Sequence, residues 1–504
     1  MLLTSPRCWR AALALCVALP AAAQAAPPAT CPPPIALTAA AARDDLELAI
    51  RATEAALPNI YWHQTPEAWE TAKAQARATI GTRTSEEAFL RTLRVLLYQI
   101  GEGHFSVRPS DAVACRYRAA LQFPLDVLWR DDGLFVAAGY GDANDIPQGS
   151  EILTINGEPH TALLDELYRA SPHDGVIRTG VMRDEGARYA AMRWFLRGEE
   201  RAFHLRIRIP NGSIRDVEVH PVPYVIRPKP PAALSPVAQL QWIDDKTAYL
   251  YVPTFSNKRY RAVGANYAST IQAIFDELGA RGAERLVLDL RDNGGGSEPN
   301  ETILFSYLVE RPSQKYASVR SRANDLKVTS PSGRVYRHQI YDSDELSTVR
   351  KVGADALERL NAPPEGLMTR WSPASPVFTG KLVVLAGGIT FSGGAELASL
   401  LYASRRGVFV GEEVGGTHAG NTSGYKWELK LPHSGMEIGI PLLKFRFTWP
   451  EVQHDHGALP DCKVQPRVGE RRQIDDAAYR VALALLAMPW TQPRGVMCPA
   501  PAEP

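Results

Sequence analysis

Two short runs, Arg285-Leu286-Val287-Leu288-Asp289-Leu290 and Leu382-Val383-Val384-Leu385-Ala386, are apolar without strict alternation. That pattern predicts strands buried on both faces, as in a parallel sheet. Thr247 to Phe255 reads as a further strand, and an amphipathic helix is predicted around Val263 to Leu278. A helical pattern follows from Ala395 to Ser404 and ends in Arg405-Arg406-Gly407. Nearer the front, Leu46-Glu47-Leu48-Ala49-Ile50 opens one helix, Pro66 to Ile80 gives another, and Ser85 to Ile100 a third. The acids Glu86 and Glu87 suit the positive end of that third helix. Alternating positions around Phe123 to Leu128 and Leu134 to Val136 then change the period to that of strands. Asn156-Gly157, between Ile155 and Glu158, predicts a tight hairpin turn. Tyr425 to Leu431 and Lys444 to Trp449 read as strands, and Asp475 to Met488 as an amphipathic helix closing on the core.

The two apolar runs end at glycines. The first continues into Arg291-Asp292-Asn293-Gly294-Gly295-Gly296, and three glycines permit close backbone approach at the end of a strand. The second continues into Gly387-Gly388-Ile389-Thr390-Phe391-Ser392-Gly393-Gly394, which leaves Ser392 at a helix N-terminus. Free N–H groups and the dipole suit a nucleophile and an oxyanion there. Each segment has a plainer reading: a flexible turn for the glycines, and a helix N-cap for Ser392.

Together the segments resemble the catalytic core of the tail-specific, or C-terminal processing, serine peptidases and their tricorn-like relatives. The resemblance rests on Asp289 to Gly296 followed, about a hundred residues later, by Thr390-Phe391-Ser392-Gly393-Gly394-Ala395-Glu396. Gly457-Ala458-Leu459-Pro460-Asp461 resembles the turn that closes the family's catalytic domain. The resemblance implies an α/β fold: a crotonase-like ββα spiral core with an N-terminal helical region and a β-rich PDZ-like insert. Residues 1–25 would then be a signal peptide, 37–110 the helical region, 120–230 the insert, 240–468 the core, and 474–504 a C-terminal helix and tail. In the insert, Ile146 to Pro159 resembles a PDZ hairpin, although the peptide-gripping loop of such domains is not evident.

The resemblance also implies roles. Ser392 would attack a peptide carbonyl, and the N–H groups of Gly393 and one of Gly294, Gly295 or Gly296, with Gly295 preferred, would hold the oxyanion. The processing peptidases use a lysine base, but Glu413 to Gly424 contains no lysine, and Lys426 is the nearest. The tricorn-like branch uses a histidine from the N-terminal region, and Gly101-Glu102-Gly103-His104-Phe105 resembles its motif with Glu102 and Phe105 as substitutions. An imidazole suits proton transfer near neutral pH; the plainer alternative is a helix-terminal histidine satisfying carbonyls. Glu451 falls at about the distance expected for the orienting carboxylate, with Asp455 and Glu437 as alternatives. Asp289 and Arg291 are expected to form a structural ion pair.

Composition narrows the setting. The chain has 504 residues, 45% hydrophobic and 22% charged, enough for more than one core. A net charge of +1 offers no electrostatic argument for nucleic acid. Arg7 and Arg10, an apolar stretch from Ala11 to Ala23 and Ala23-Gln24-Ala25 read as a secretory signal cleaved after Ala25, too short for a stable membrane anchor. Export leaves Cys31, Cys115, Cys462 and Cys498, which permit two disulfides, Cys31–Cys115 and Cys462–Cys498 among the possible pairings. A peptide or protein is the expected substrate, in the periplasm or outside the cell, with no cofactor or metal implied. The competing readings are a ligand-binding protein on the same fold and, less compatible with export, an acyl-CoA enzyme of the crotonase type.

Overall fold

The computed structural model describes residues 31–223, 235–360, 368, 370–449, 454–470, 475–489 and 495–499. The leader, residues 1–25, lies outside the described residues.

The core is a six-stranded sheet ordered Gln239–Trp242, Thr247–Tyr251, Arg285–Asp289, Lys381–Ala386, Val408–Gly411, Cys462–Lys463. The first pair is antiparallel and the rest parallel. The four inner strands, Thr247–Tyr251 to Val408–Gly411, are buried on both faces, which is why their sequences lack alternation. Ala248, Leu250, Leu286, Leu288, Leu382 and Val384 pack against the helices Tyr267–Ala280 and Gly393–Ala403. Tyr249, Tyr251, Val287, Val383, Leu385 and Val410 face the helix Ala477–Ala487, which closes the other side as its spacing predicts. The parallel register sets Asp289 beside Leu385. The glycine loop after Asp289 and the turn after Ala386 therefore emerge side by side.

A second sheet runs Val349–Val352, Ala356–Arg359, Tyr316–Arg322, Glu437–Phe447, Gly420–Lys430. The short strand Ser106–Arg108 joins it antiparallel, with Ser106 opposite Gly439 and Arg108 opposite Glu437. This pairing stitches the front of the chain to the core. The front itself holds the helices Ala39–Ala56, Pro66–Ala78 and Glu86–Tyr98, each capped by a side-chain oxygen: Thr38, Thr65 and Ser85. The first helix begins earlier than the expected opening at Leu46. Its first turns are alanine-rich, strong in helix propensity but without amphipathic contrast.

Between front and core lies a β-rich insert ordered Ile214–Val219, Phe203–Arg208, Glu151–Ile155, Gly133–Gly139, Leu125–Arg130. Helices His160–Arg169, Thr179–Ala187 and Tyr189–Arg197 accompany it. Its Asn156-Gly157 turn has positive φ at both residues and pairs Ile155 with Glu158, as expected for the hairpin. Disulfides join Cys31 to Cys115 and Cys462 to Cys498. Loops of 84 and 36 residues are closed, each constraining the unfolded chain by about 4 kcal/mol in the chain-entropy account.

Candidate active site

Asn293 ties the two glycine motifs together. Fully buried, it donates from Nδ2 to Val252 O at 3.0 Å and accepts at Oδ1 from Gly295 N–H at 2.9 Å. Its carbonyl accepts from Phe391 N–H at 3.0 Å. Thr390 pins the same turn, accepting from Gly387 N–H at 3.1 Å and donating to Leu290 O at 2.8 Å. A Cβ on Gly394 would lie 2.2 Å from Asn293 O, so this approach requires glycine.

Ser392 ends that turn at φ 51°, ψ −129°, immediately before the helix Gly393–Ala403. Positive φ is rare outside glycine and strained for a side chain. Ser392 holds the N-cap position, yet its hydroxyl makes no capping bond, unlike Thr38, Thr65, Ser85 and Ser110 at other helices. The capping alternative for this serine is thereby removed. Gly394 N–H and Glu396 N–H bond to Phe391 O and Ser392 O, while Gly393 N–H has no acceptor among the described residues.

The glycine loop touches this corner. A Cβ built on Gly295 would sit 2.7 Å from Ser392 Cβ and 2.8 Å from Gly393 N. Gly294 N–H goes to Asp292 O at 3.2 Å, and Gly295 N–H to Asn293 Oδ1. Gly295 therefore abuts Ser392, and its N–H would reach an oxyanion there only by sharing or leaving Asn293. With φ at +95° as well, Gly295→Ala is expected to slow the chemistry at least about a hundredfold and to lower the melting temperature. Activity and thermal unfolding of that variant check both.

His104 arrives from the other end. Gly101, at φ +77°, bonds to Tyr98 O and turns the chain after the helix Glu86–Tyr98. The loop then runs into Ser106–Arg108, which the second sheet holds. This places the His104 ring against Phe391, centroids 4.6 Å apart, one residue before Ser392. Nδ1 of His104 is buried without a partner, so the ring does not serve as a helix-end cap. Among the described residues no hydrogen bond engages either His104 or Ser392 Oγ; catalytic contacts of this kind often form only with substrate bound. Burial, and next the Lys426 ammonium, push the imidazole down to about 4, against the opposing charges of Glu102 and Glu396. The imidazole is neutral near pH 7, able to accept a proton.

Glu451 lies outside the described residues. Its alternatives are engaged elsewhere: Asp455 with His63 at 2.7 Å and His454 at 3.1 Å, Glu437 with Arg108 at 3.2 Å. Asp289 and Arg291 form the expected ion pair at 2.6 Å, joined by Asp476 at 2.5 Å and the Tyr249 hydroxyl at 2.7 Å.

A buried polar knot beneath the helix escaped the sequence. Lys315 bonds Glu298 and Glu396 at 2.8 Å each and also Glu301, while Tyr316 OH donates to Glu298 and Glu396. Asn421 donates to Glu396 at 2.8 Å. Burial raises Glu301 to about 7, against the Lys315 charge. The carboxylates have the spacing of metal ligands, but their oxygens converge on the Lys315 ammonium. One hint was present: Glu396 lies a helical turn beyond Ser392.

Residues 246–464 match the model of peptidase family S41. The core of the chain is a domain of that family, and the protein is a serine-type peptidase. Among solved structures, mature CPAF aligns at 17% identity and a TM-score of 0.56 over 84% of this chain and 92% of that one. A CPAF mutant aligns at 15% and 0.61, over 90% and 99%. The complex of mature CPAF with lactacystin aligns at 15% and 0.57, over 84% and 94%. At these identities the likeness is one of fold. No curated protein matches this chain.

Proposed function

We propose that this protein is an exported serine peptidase that hydrolyses peptide bonds through an acyl-enzyme. Ser392 Oγ attacks the carbonyl carbon, and His104 accepts the hydroxyl proton and returns it to the leaving amine. Water then attacks the acyl-enzyme with the same base. Gly393 N–H and the glycine loop, with Gly295 the preferred second donor, hold the oxyanion. Glu451 accepts from Nδ1, the nitrogen left without a partner, and steadies the imidazolium. A histidine base places the chain with the tricorn-like branch, and we read its core as the crotonase-like spiral and its insert as PDZ-like.

One observation carries the reading: a serine strained into positive φ, its hydroxyl uncapped, follows directly on the aromatic ring that His104 packs against. Two disulfides favour an oxidising compartment, hence export. Among the described residues no helix is long and apolar enough to cross a membrane.

A fluorophosphonate probe tests the chemistry. The reading requires labelling of the wild type that Ser392→Ala abolishes. An intact, folded protein that takes no label would instead be a ligand-binding relative. Lactacystin, solved in complex with CPAF, is a first competitor to try.

A further inference from the structure

We propose that Asp174, supplied by the β-rich insert, is a positioning residue that clamps the loop carrying the catalytic base to the loop beside the nucleophile. The inference rests on the roles given above to Ser392 and His104.

Asp174 lies between the helices His160–Arg169 and Thr179–Ala187 and is 1% exposed. One carboxylate oxygen accepts from Gly103 N–H at 2.6 Å, the residue before His104. The other accepts from Thr417 N–H at 3.4 Å. Thr417 belongs to the loop after Val408–Gly411, and in that loop Gly415 N–H bonds to Thr390 O at 3.0 Å, in the turn before Ser392. A single side chain thus spans the two halves of the site.

The space around the carboxylate is built for it. A Cβ on Gly103 would lie 2.9 Å from Asp174 Oδ1 and equally close to the Phe391 ring. A Cβ on Gly416 would lie 2.7 Å from Ala395 Cβ and 3.5 Å from Asp174 Oδ2. Neighbouring bonds fix the clamp in place: Gly175 N–H to Gly101 O at 2.9 Å, Val176 N–H to Asp455 O at 3.0 Å, and Thr179 Oγ1 to Glu413 O at 2.9 Å. The insert is therefore part of the site's frame.

The groups facing Asp174 set its charge. Glu102 repels it and Lys444, paired with Glu102 at 3.3 Å, attracts it. His173 is held neutral by burial, pushed down to about 4. The His63–Asp455 pair lies beyond Gly101 and Gly175. Burial, then Glu102, raises the Asp174 carboxyl to about 7. The ionised form makes the stronger grip on two N–H donors, so the rate of Ser392 modification climbs as pH rises through about 7.

Asp174→Asn keeps the shape and the acceptor for Gly103 but turns an amide donor or a weaker acceptor toward Thr417. Fluorophosphonate labelling of this variant at pH 8 is expected to slow about tenfold in its maximal rate, with probe affinity unchanged. Its melting temperature at pH 8 is expected to hold or rise, because a buried charge is gone. The step near neutral pH disappears, while Glu301→Gln, at the other carboxyl titrating near 7, retains it. Glu102→Gln moves the step to lower pH, an independent check should Asp174→Asn fail to fold. Wild-type rates and pH profile in Asp174→Asn, or parallel loss of stability and activity, would overturn the clamp, as would an unmoved step in Glu102→Gln. Absence of labelling in the wild type would sink the peptidase chemistry itself, a separate outcome.

Discussion

Replacing Ser392 with alanine is expected to cut hydrolysis about a millionfold, the scale seen when a triad nucleophile is removed. The fold should survive unaltered, since Ser392 Oγ bonds to nothing among the described residues and its loss orphans no partner. The strain at this position sharpens the prediction. A side chain at φ 51°, ψ −129° stores on the order of 1–3 kcal/mol. Ser392→Gly releases that strain, offset by about 0.4–1 kcal/mol of extra freedom in the unfolded chain. Glycine should thus give an inactive protein more stable than the wild type by about 1 kcal/mol, whereas alanine, which keeps Cβ, should match the wild type. Thermal unfolding of both variants beside fluorophosphonate labelling reads the two effects together. Hydrolysis surviving in Ser392→Ala would end the assignment of the nucleophile. A glycine variant no more stable than the alanine one would show that the conformation is unstrained, and remove the argument that function holds it there.

The turn that carries Ser392 was legible because everything that makes it is local. An apolar strand, a break at glycines and a helical restart occupy consecutive residues, and parallel pairing of two such strands brings their ends together. That a glycine of the loop 294–296, Gly295 preferred, lies beside Ser392 was implied by the resemblance; that its N–H is held by the Asn293 side chain was not, because a side-chain acceptor within a loop has no periodic signature. His104 was suggested by resemblance alone. What delivers it is a three-residue strand paired with Glu437–Gly439, far along the chain and too short to pattern. Lys315 shows the limit most clearly. In sequence it reads as a surface lysine, and only burial among Glu298, Glu301 and Glu396 gives it meaning. Asp174 looks like a turn residue between a proline-histidine pair and a glycine, since its partners Gly103 and Thr417 offer nothing but backbone. Glu451 keeps only its spacing as support.

His104→Gln is expected to approach the loss of Ser392→Ala, because nucleophile and base act as one unit and their deletions do not add. The pH dependence distinguishes this imidazole from an ordinary one. A base with pKa of 6.5 would lose activity between pH 7 and 6. At about 4, His104 remains neutral well below that, so the labelling rate should descend in two stages: a partial fall near 7 as Asp174 takes up its proton, then a plateau, then extinction near 4 as the imidazole charges. In Asp174→Asn only the lower stage should remain. Stability follows the same proton in a predictable direction. The unfolded chain binds it near 6.5 while the folded site refuses it until about 4, so His104 favours the folded state above pH 6.5 and that contribution drains away between 6.5 and 4. The glutamine variant lacks this titration, and its unfolding free energy should decline less steeply across the same interval. A single fall in activity centred near 6.5, present in the wild type and in Asp174→Asn alike, would mean that the working imidazole is solvated. The packing of His104 against Phe391 would then have no part in setting its basicity.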